Sequence, residues 1–427
     1  MKVLLILLKI KSDCQWHVGL AYISAVLKKS GHSVELFELS NYERELPLLF
    51  EQMRQFKPGI IGISSNSHQF VYAKKLVVDI KNNFNTPVFI GGVQTILKPE
   101  VIEDVIGLDG VCIGEGESAF LDMVDKIQTN HDHSNVKNFW FRDDAGNVIK
   151  NEVGCLVENL DMFPYPDRSI FKYFKEKREK IVPRFIFSRG CPFECSYCCN
   201  HAFKQKYTGL GKYVRWRSVD RAIEEIRLER GKYNFNYFKL DDDTFSLNKS
   251  WMREFCEKIV ATGWGLTFEC NVRPGTIDEE GMKILKVGGC VMIKIGIESG
   301  DENLRKNILN RHFINGDIIK IFELAKKYGI KTFSFNIIGV PNETLETVKA
   351  TIDLNRQIKP DFIQVTAFYP YPDTILGKLC IEKGYIEKES EDSYMEKSIL
   401  KLPTISSQEI ENAIKNFKFK VYLPYDK

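Results

Sequence analysis

Along the first 130 residues, runs of consecutive apolar residues alternate with longer segments whose apolar positions recur every three or four residues. The runs are "KVLLILL", "SVELFEL", "GIIGISS", "PVFIGG" and "GVCIGEGE"; between them lie "GLAYISAVLKKSG", "ERELPLLFEQMRQF" and "YAKKLVVDIKNNF". Unbroken apolar runs mark strands covered on both faces, and the helical period marks the amphipathic helices that cover them. Residues 1–135 therefore read as an open, doubly wound, Rossmann-like α/β domain. Ligands of such sheets lie beyond the carboxyl ends of the strands. Those ends are Ser64 and Ser65, Gly91 and Gly92, and Gly114, Glu115, Gly116 and Glu117.

Between residues 136 and 180 the periodicity fades. "FWFRDDAGNVIKNEV" predicts a small hairpin around "DDAGN", and "LDMFPYPDRSIF", with Pro164 and Pro166, an extended linker. From 181 to 385 strands and helices alternate again, from "RFIFSRG" to "DFIQVTAFYP", in six steps. Six are too few for a closed eight-stranded barrel, so a partial (β/α)6, TIM-like barrel is predicted. Residues 386–427 are charged and weakly patterned, and read as a short appendage or lid.

At 427 residues the chain exceeds one ordinary core. Sixty basic against 57 acidic residues leave a formal charge of +3, which argues for neither nucleic acid nor an anionic membrane as partner. A small molecule or a peptide segment fits better. The short apolar run of "MKVLLILLKIKSD" is broken by lysines and followed by no small-residue cleavage site, so it reads as a buried strand and not a signal peptide. No stretch approaches the length of a membrane-spanning helix. Of eleven cysteines, seven stand singly, at Cys14, Cys112, Cys155, Cys256, Cys270, Cys290 and Cys380. That distribution suits a reducing cytoplasm.

The other four fall within "SRGCPFECSYCCN". Cys191, Cys195 and Cys198 form C-x3-C-x2-C directly after a strand, with Gly190 and Pro192 bending the chain. Thiolates at this density select zinc, copper or an iron–sulfur cluster. A structural zinc site ordinarily adds a second C-x2-C pair or histidines, and only His201 is near. A redox pair leaves the third cysteine unexplained. A four-iron cluster normally takes four cysteines, so three would leave one iron open.

C-x3-C-x2-C with an aromatic residue, Tyr197, before the last cysteine, at the end of a first barrel strand, resembles the radical S-adenosylmethionine enzymes. The resemblance implies a [4Fe-4S] cluster on Cys191, Cys195 and Cys198 whose open iron binds the amino and carboxylate groups of S-adenosylmethionine. Reduction by a flavodoxin- or ferredoxin-type donor would release methionine and a 5′-deoxyadenosyl radical. Cys199 breaks the spacing and reads as a neighbour that packs beside the cluster. In "FKLDDDTFSLN" the family places contacts to the methionine amino group, which implicates Asp241, Asp242 and Asp243; a solvated acidic turn or helix cap is the alternative for each. Arg273 in "FECNVRP" would meet the carboxylate, Glu298 in "IGIESG" the ribose, and Ile338, Gly339 and Pro341 in "FNIIGVPNET" the adenine.

"GLAYISAVLKKSGHSVELFEL", "IIGIS", "FIGGVQTILKPE" and "GVCIGEGE" are similar to the cobalamin-binding domain that precedes the radical module in one large subfamily. This implies cobalamin contacts at Gly19, Ser64, Ser65, Gly91, Gly92, Gly114, Glu115, Gly116 and Glu117, where glycines let the backbone approach the corrin; a turn serving only the fold is the alternative for each glycine. The Asp-x-His-x-x-Gly motif of better-known cobalamin domains is absent. His17, His32 and His68 lack its spacing, His68 reads as a polar loop residue, and the lower face of the cobalt is left unassigned.

The implied activity is methyl transfer to an unactivated carbon or a phosphinate phosphorus of a small-molecule or peptide substrate. One S-adenosylmethionine would remethylate cobalamin and a second would supply the radical. A cyclase or rearrangement enzyme with the same cofactors is the alternative. A methylthiotransferase needs more cluster cysteines than Cys14 and Cys112, and a non-catalytic cobalamin sensor leaves the triad without purpose. Trp216, Phe268, Phe368, Tyr369 and Tyr371 are candidates for cavity lining or core, and Asp373 occupies a turn position where glycine is commoner.

Overall fold

The computed structural model describes residues 1–10, 12, 15–176, 181–386 and 397–422; Cys14 and residues 387–396 and 423–427 of the expected appendage lie outside the described residues. The chain divides into two compact units, one of residues 1–178 with 205–212 and one of 179–204 with 213–427.

The first unit comprises β1 (Lys2–Leu8), α1 (Val18–Lys29), β2 (Ser33–Leu39), α2 (Tyr42–Phe56), β3 (Ile60–Ser64), α3 (Phe70–Lys81), β4 (Val88–Gly91), α4 (Val93–Leu97), α5 (Val101–Asp104), β5 (Gly110–Cys112), α6 (Glu117–Gln128), β6 (Phe139–Arg142), β7 (Val148–Lys150) and α7 (Lys172–Glu176). The sheet runs β2-β1-β3-β4-β5-β6-β7, parallel through β5. Val3 to Leu8 are all buried, as a strand covered on both faces requires. The chain winds one way from β1 to β2 and the other way from β3 onward. The ligand crevice of such a sheet therefore opens beyond the carboxyl ends of β1 and β3. The hairpin around Asp143 is present, and its β6 pairs antiparallel with β5. It covers an edge that would otherwise offer unpaired N–H and C=O groups.

The second unit comprises β8 (Arg184–Phe185), β9 (Ser188–Arg189), α8 (Cys199–Lys206, which runs on into the first unit's segment), β10 (Arg215–Trp216), α9 (Val219–Lys232), β11 (Tyr237–Leu240), α10 (Lys249–Ala261), β12 (Thr267–Val272), α11 (Glu279–Val287), β13 (Cys290–Glu298), α12 (Glu302–Asn307), α13 (Asn315–Lys327), β14 (Lys331–Ile338), α14 (Leu345–Ile358), β15 (Phe362–Ala367), α15 (Ile375–Glu382) and α16 (Ser407–Tyr422). Six strands form one parallel sheet, β15-β14-β13-β12-β11-β8, as the partial barrel requires. Alternation sorts each strand: Ile293, Ile295 and Ile297 are fully buried on one face of β13, while Met292, Lys294, Gly296 and Glu298 occupy the other. Phe268 belongs to the core, packed among Phe238, Phe245 and Phe255. Phe368 is core as well, and Tyr369 and Tyr371 pack on each other.

The carboxyl-terminal stretch is better patterned than it reads. Ile410, Ile414, Phe417 and Val421 form one stripe of α16, buried against Ile338, Val340, Val348, Ile352 and Val365. Intervening lysines hide the stripe in the sequence, and the helix completes the barrel's outer layer. Among the described residues no helix is long and apolar enough to cross a membrane.

Candidate functional site

The cysteine loop leaves β9 through Gly190, whose φ is +82° and whose Cβ would lie 2.5 Å from the Tyr213 carbonyl oxygen, so only glycine fits there. The loop is tied to the segment after α12. Ser196 N–H donates to Leu309 O at 3.2 Å, the Ser196 hydroxyl to Ile308 O, and Asn310 Nδ2 to Glu194 O at 2.7 Å. Cys195 is buried; Cys191, Cys198 and Cys199 are partly so. Arg273 Nη1 donates to Cys195 Sγ at 3.3 Å, and Arg311 Nη1 stands 3.8 Å from the same sulfur. Guanidinium donors on a thiol sulfur suit one that carries negative charge, and three thiols round one loop suit a cluster that keeps one iron open. Among the described residues no three His, Cys, Asp or Glu side chains are gathered closely enough to hold a single metal ion. Cys198 and Cys199 share a hydrogen bond that lifts the first thiol's pKa and lowers the second's.

The three neighbouring aspartates point to three different tasks. Asp241 makes ion pairs with Arg184 and, at 3.7 Å, Lys294. Asp242 is buried and accepts at Oδ1 from Phe187 N–H (3.0 Å), Ser188 N–H (2.6 Å) and the Ser188 hydroxyl (2.5 Å), which pins the chain entering the cysteine loop. Burial pushes its carboxyl up to about 7. Asp243 stands beside the thiols, where burial raises its pKa against the pull of a hydrogen bond from Asn200.

Glu298 ends β13 with a left-handed φ of 67°, at a shift of register between β13 and β14. Its Oε1 accepts from Tyr197 Oη at 3.0 Å and lies 3.5 Å from Arg311 Nη1. Burial raises the Glu298 carboxyl, with Arg311 and Tyr197 opposing. Arg311 also donates to Tyr197 Oη at 2.8 Å and to Gly296 O at 2.6 Å. Sequence reasoning missed Arg311, since "NRHFING" carries no motif or period that marks it. Asp373 has φ 63°, the left-handed conformation that makes glycine common at such a turn and that aspartate tolerates.

At the turn after β14, Gly339 has φ +88°, and both it and Val340 donate their N–H groups to Glu343 Oε2. Ile338 points into the core against α16. Glu343 is fully buried; desolvation lifts its carboxyl from 4.5 to about 8, with a smaller push from Asp301. The folded state therefore keeps a proton that the unfolded state releases, and stability falls as pH rises from 4.5 to about 8. At about 1.4 kcal/mol per unit the loss amounts to a few kcal/mol. Glu343→Gln keeps an acceptor without the titration. It is expected to flatten the slope of unfolding free energy between pH 5 and 8, measured by denaturant titration.

In the first unit, Ser64 and Ser65 are buried at the end of β3, and Ser65 N–H donates to Gly91 O at 2.9 Å. Gly92, at φ +110°, would put a Cβ 2.5 Å from Ser65 O; at Gly114 a Cβ would meet Tyr207 Oη at 2.5 Å and Asn138 Oδ1 at 2.8 Å. Both openings are thus filled by the chain's own atoms. Tyr207 Oη and Asn138 Nδ2 also hold Glu115, at its N–H (2.7 Å) and carbonyl (2.9 Å). Gly91 and Gly116 meet nothing closer than 3.4 Å, and Gly19 faces the His17 ring at 3.1 Å. Glu117 is buried at the start of α6. His17 caps α1 by accepting from Leu20 N–H at 3.2 Å, and His32 pairs with Asp125 at 2.9 Å. His68 follows β3, and burial lowers its pKa to about 4. Two buried acceptors that sequence reasoning missed, Ser67 Oγ after β3 and Gln94 Oε1 after β4, make no hydrogen bond. The amide-rich rim of a corrin offers donors to such atoms, so the strand ends fit cobalamin.

Residues 185–354 match the model of the radical SAM superfamily, and residues 3–124 that of the B12 binding domain. The chain therefore carries a B12-binding domain followed by a radical SAM domain. It is similar to an uncharacterized methyltransferase of Pyrococcus horikoshii, 27% identical over 95% of this chain and 87% of that protein. It is also similar to the anaerobic magnesium-protoporphyrin IX monomethyl ester cyclase of Rubrivivax gelatinosus, 25% identical over 82% of this chain and 64% of the cyclase. In fold the chain resembles the radical S-adenosylmethionine methyltransferase TsrM of Kitasatospora setae, with a TM-score of 0.72 at 17% identity over 89% of this chain and 76% of TsrM. The matches to the Pyrococcus and Rubrivivax proteins each extend over more than four fifths of this chain.

Proposed function

We propose that the chain is a cytoplasmic, cobalamin-dependent radical S-adenosylmethionine methyltransferase that acts on an unactivated carbon or phosphinate phosphorus of a small-molecule or peptide substrate. The observation that carries this reading is the cysteine loop with Arg273 and Arg311 at Cys195, in one chain with a B12-binding sheet. When bound, the cluster, S-adenosylmethionine and cobalamin supply one-electron cleavage to a 5′-deoxyadenosyl radical and delivery of a methyl group. The protein's own part is to hold and orient. Cys191, Cys195 and Cys198 hold the cluster, and Asp242 keeps the loop that carries them in place. Arg273 offers its remaining N–H groups to the carboxylate of S-adenosylmethionine. Glu298, fixed by Tyr197 and Arg311, takes the ribose, and the Gly339 turn, held by Glu343, takes the adenine. Ser67 and Gln94 accept hydrogen bonds from the corrin rim. A flavodoxin- or ferredoxin-type protein supplies electrons.

After reconstitution with iron, sulfide and hydroxocobalamin, the protein is expected to keep its corrinoid absorbance through desalting. Given reductant, S-adenosylmethionine and substrate candidates, it is expected to form S-adenosylhomocysteine and 5′-deoxyadenosine together. Similarity to the Rubrivivax cyclase favours a second reading, cyclisation or rearrangement. That reading predicts 5′-deoxyadenosine without S-adenosylhomocysteine.

A further inference from the structure

We propose that Arg311 and Arg273, gathered with Arg305 around the ring of Phe313, set the reduction potential of the cluster through Cys195; this rests on the reading that Cys191, Cys195 and Cys198 hold that cluster. The three guanidinium carbons lie 5.0, 5.4 and 5.0 Å from the Phe313 ring centroid, and Arg273 lies a further 3.9 Å from the Phe193 centroid. Aromatic faces attract cations, and more strongly when water is excluded. Arg311 and Arg305 are buried to 6% and 0% exposure, so their fields are poorly screened.

Acidic compensation in this cage is thin. Arg305 spends its donors on neutral acceptors, Phe313 O, Ser299 O and Asn315 Oδ1, and its nearest carboxylate is Glu302 at 3.9 Å. Arg311 faces Glu298 alone, and its Nε is buried without a hydrogen-bond partner. Nη1 and Nη2 of Arg311 are already occupied by Tyr197, Glu298 and Gly296 O, so this residue is fixed in place as a positioning residue. Its charge, 3.8 Å from the Cys195 sulfur, acts on whatever that sulfur holds.

The step concerned adds one electron from a flavodoxin- or ferredoxin-type donor, or from dithionite, to convert [4Fe-4S]2+ to [4Fe-4S]+. Cluster potentials follow net charge and hydrogen bonds to the sulfurs. Fixed positive charge beside a ligand favours the more negative, reduced state, and its removal makes reduction harder.

The test is a redox titration, followed by electron paramagnetic resonance, of reconstituted wild type, Arg311→Gln, Arg311→Lys, Arg273→Gln and Arg273→Lys. Leaving out S-adenosylmethionine keeps cofactor binding from entering the result. Each glutamine variant is expected to lower the ratio of reduced to oxidised cluster at fixed poise about tenfold, which is about 59 mV for one electron. The lysine variants, which keep the charge, are expected to stay near wild type. If one glutamine variant loses its cluster, the other still carries the test. Glutamine variants that titrate with wild type, or lysine and glutamine variants that shift alike, would overturn the inference while leaving the cluster assignment intact. A wild type that binds no cluster would overturn both.

Discussion

Replacing Cys195 with alanine is expected to leave the reconstituted protein without a four-iron cluster, with iron and sulfide falling to background. Cys195 is the most buried of the loop thiols and the one on which both guanidinium groups converge. Its loss removes one of three proposed ligands and leaves Arg273 and Arg311 facing a methyl group in place of an anion. Arg311 keeps Glu298, but both guanidinium groups lose the sulfur they meet, so the empty loop is also expected to loosen. Cys191→Ala and Cys198→Ala are expected to lose the cluster too. Cys199→Ala removes only the hydrogen bond to Cys198, worth about 1 kcal/mol, and is expected to keep a full cluster. Iron and sulfide analysis of the four variants checks the set, and equal loss in Cys199→Ala would contradict the assignment.

The second large effect is expected at Asp242, which touches no cysteine. Its Oδ1 satisfies two buried backbone N–H groups and one hydroxyl at the entrance to the loop. Asp242→Ala leaves all three without a partner. Orphaned buried donors cost about 1–3 kcal/mol each, and relaxation recovers part of that. A loss of about 3–5 kcal/mol in unfolding free energy is expected, with a fall in cluster content because Gly190 and Cys191 follow directly. Asp242→Asn keeps an oxygen acceptor and is expected to lose less than half as much. Denaturant unfolding beside iron analysis checks both; an alanine variant as stable and as iron-rich as wild type would show that the loop is held elsewhere.

The buried parallel strands were legible because uninterrupted apolar runs such as "KVLLILL" leave no polar face for solvent. Ser67 and Gln94 escaped notice because nothing in their spacing distinguishes a buried acceptor without a partner from an ordinary loop residue. Asp241, Asp242 and Asp243 look equivalent in the sequence, yet successive side chains beyond a strand end diverge, so one makes ion pairs, one pins the loop and one lines the thiols. Arg311 was invisible because its neighbours Tyr197, Gly296 and Glu298 come from distant segments that only the barrel brings together. Phe268, for which cavity lining and core were both open, is core, and the lysine-rich tail carries a core stripe on α16.

The most direct test is the anaerobic yield of 5′-deoxyadenosine from S-adenosylmethionine and reductant, for wild type and Cys195→Ala in parallel. Wild type is expected to accumulate it and the variant none above background. A wild type that carries its cluster but forms no 5′-deoxyadenosine, or a variant that forms as much as wild type, would contradict the account.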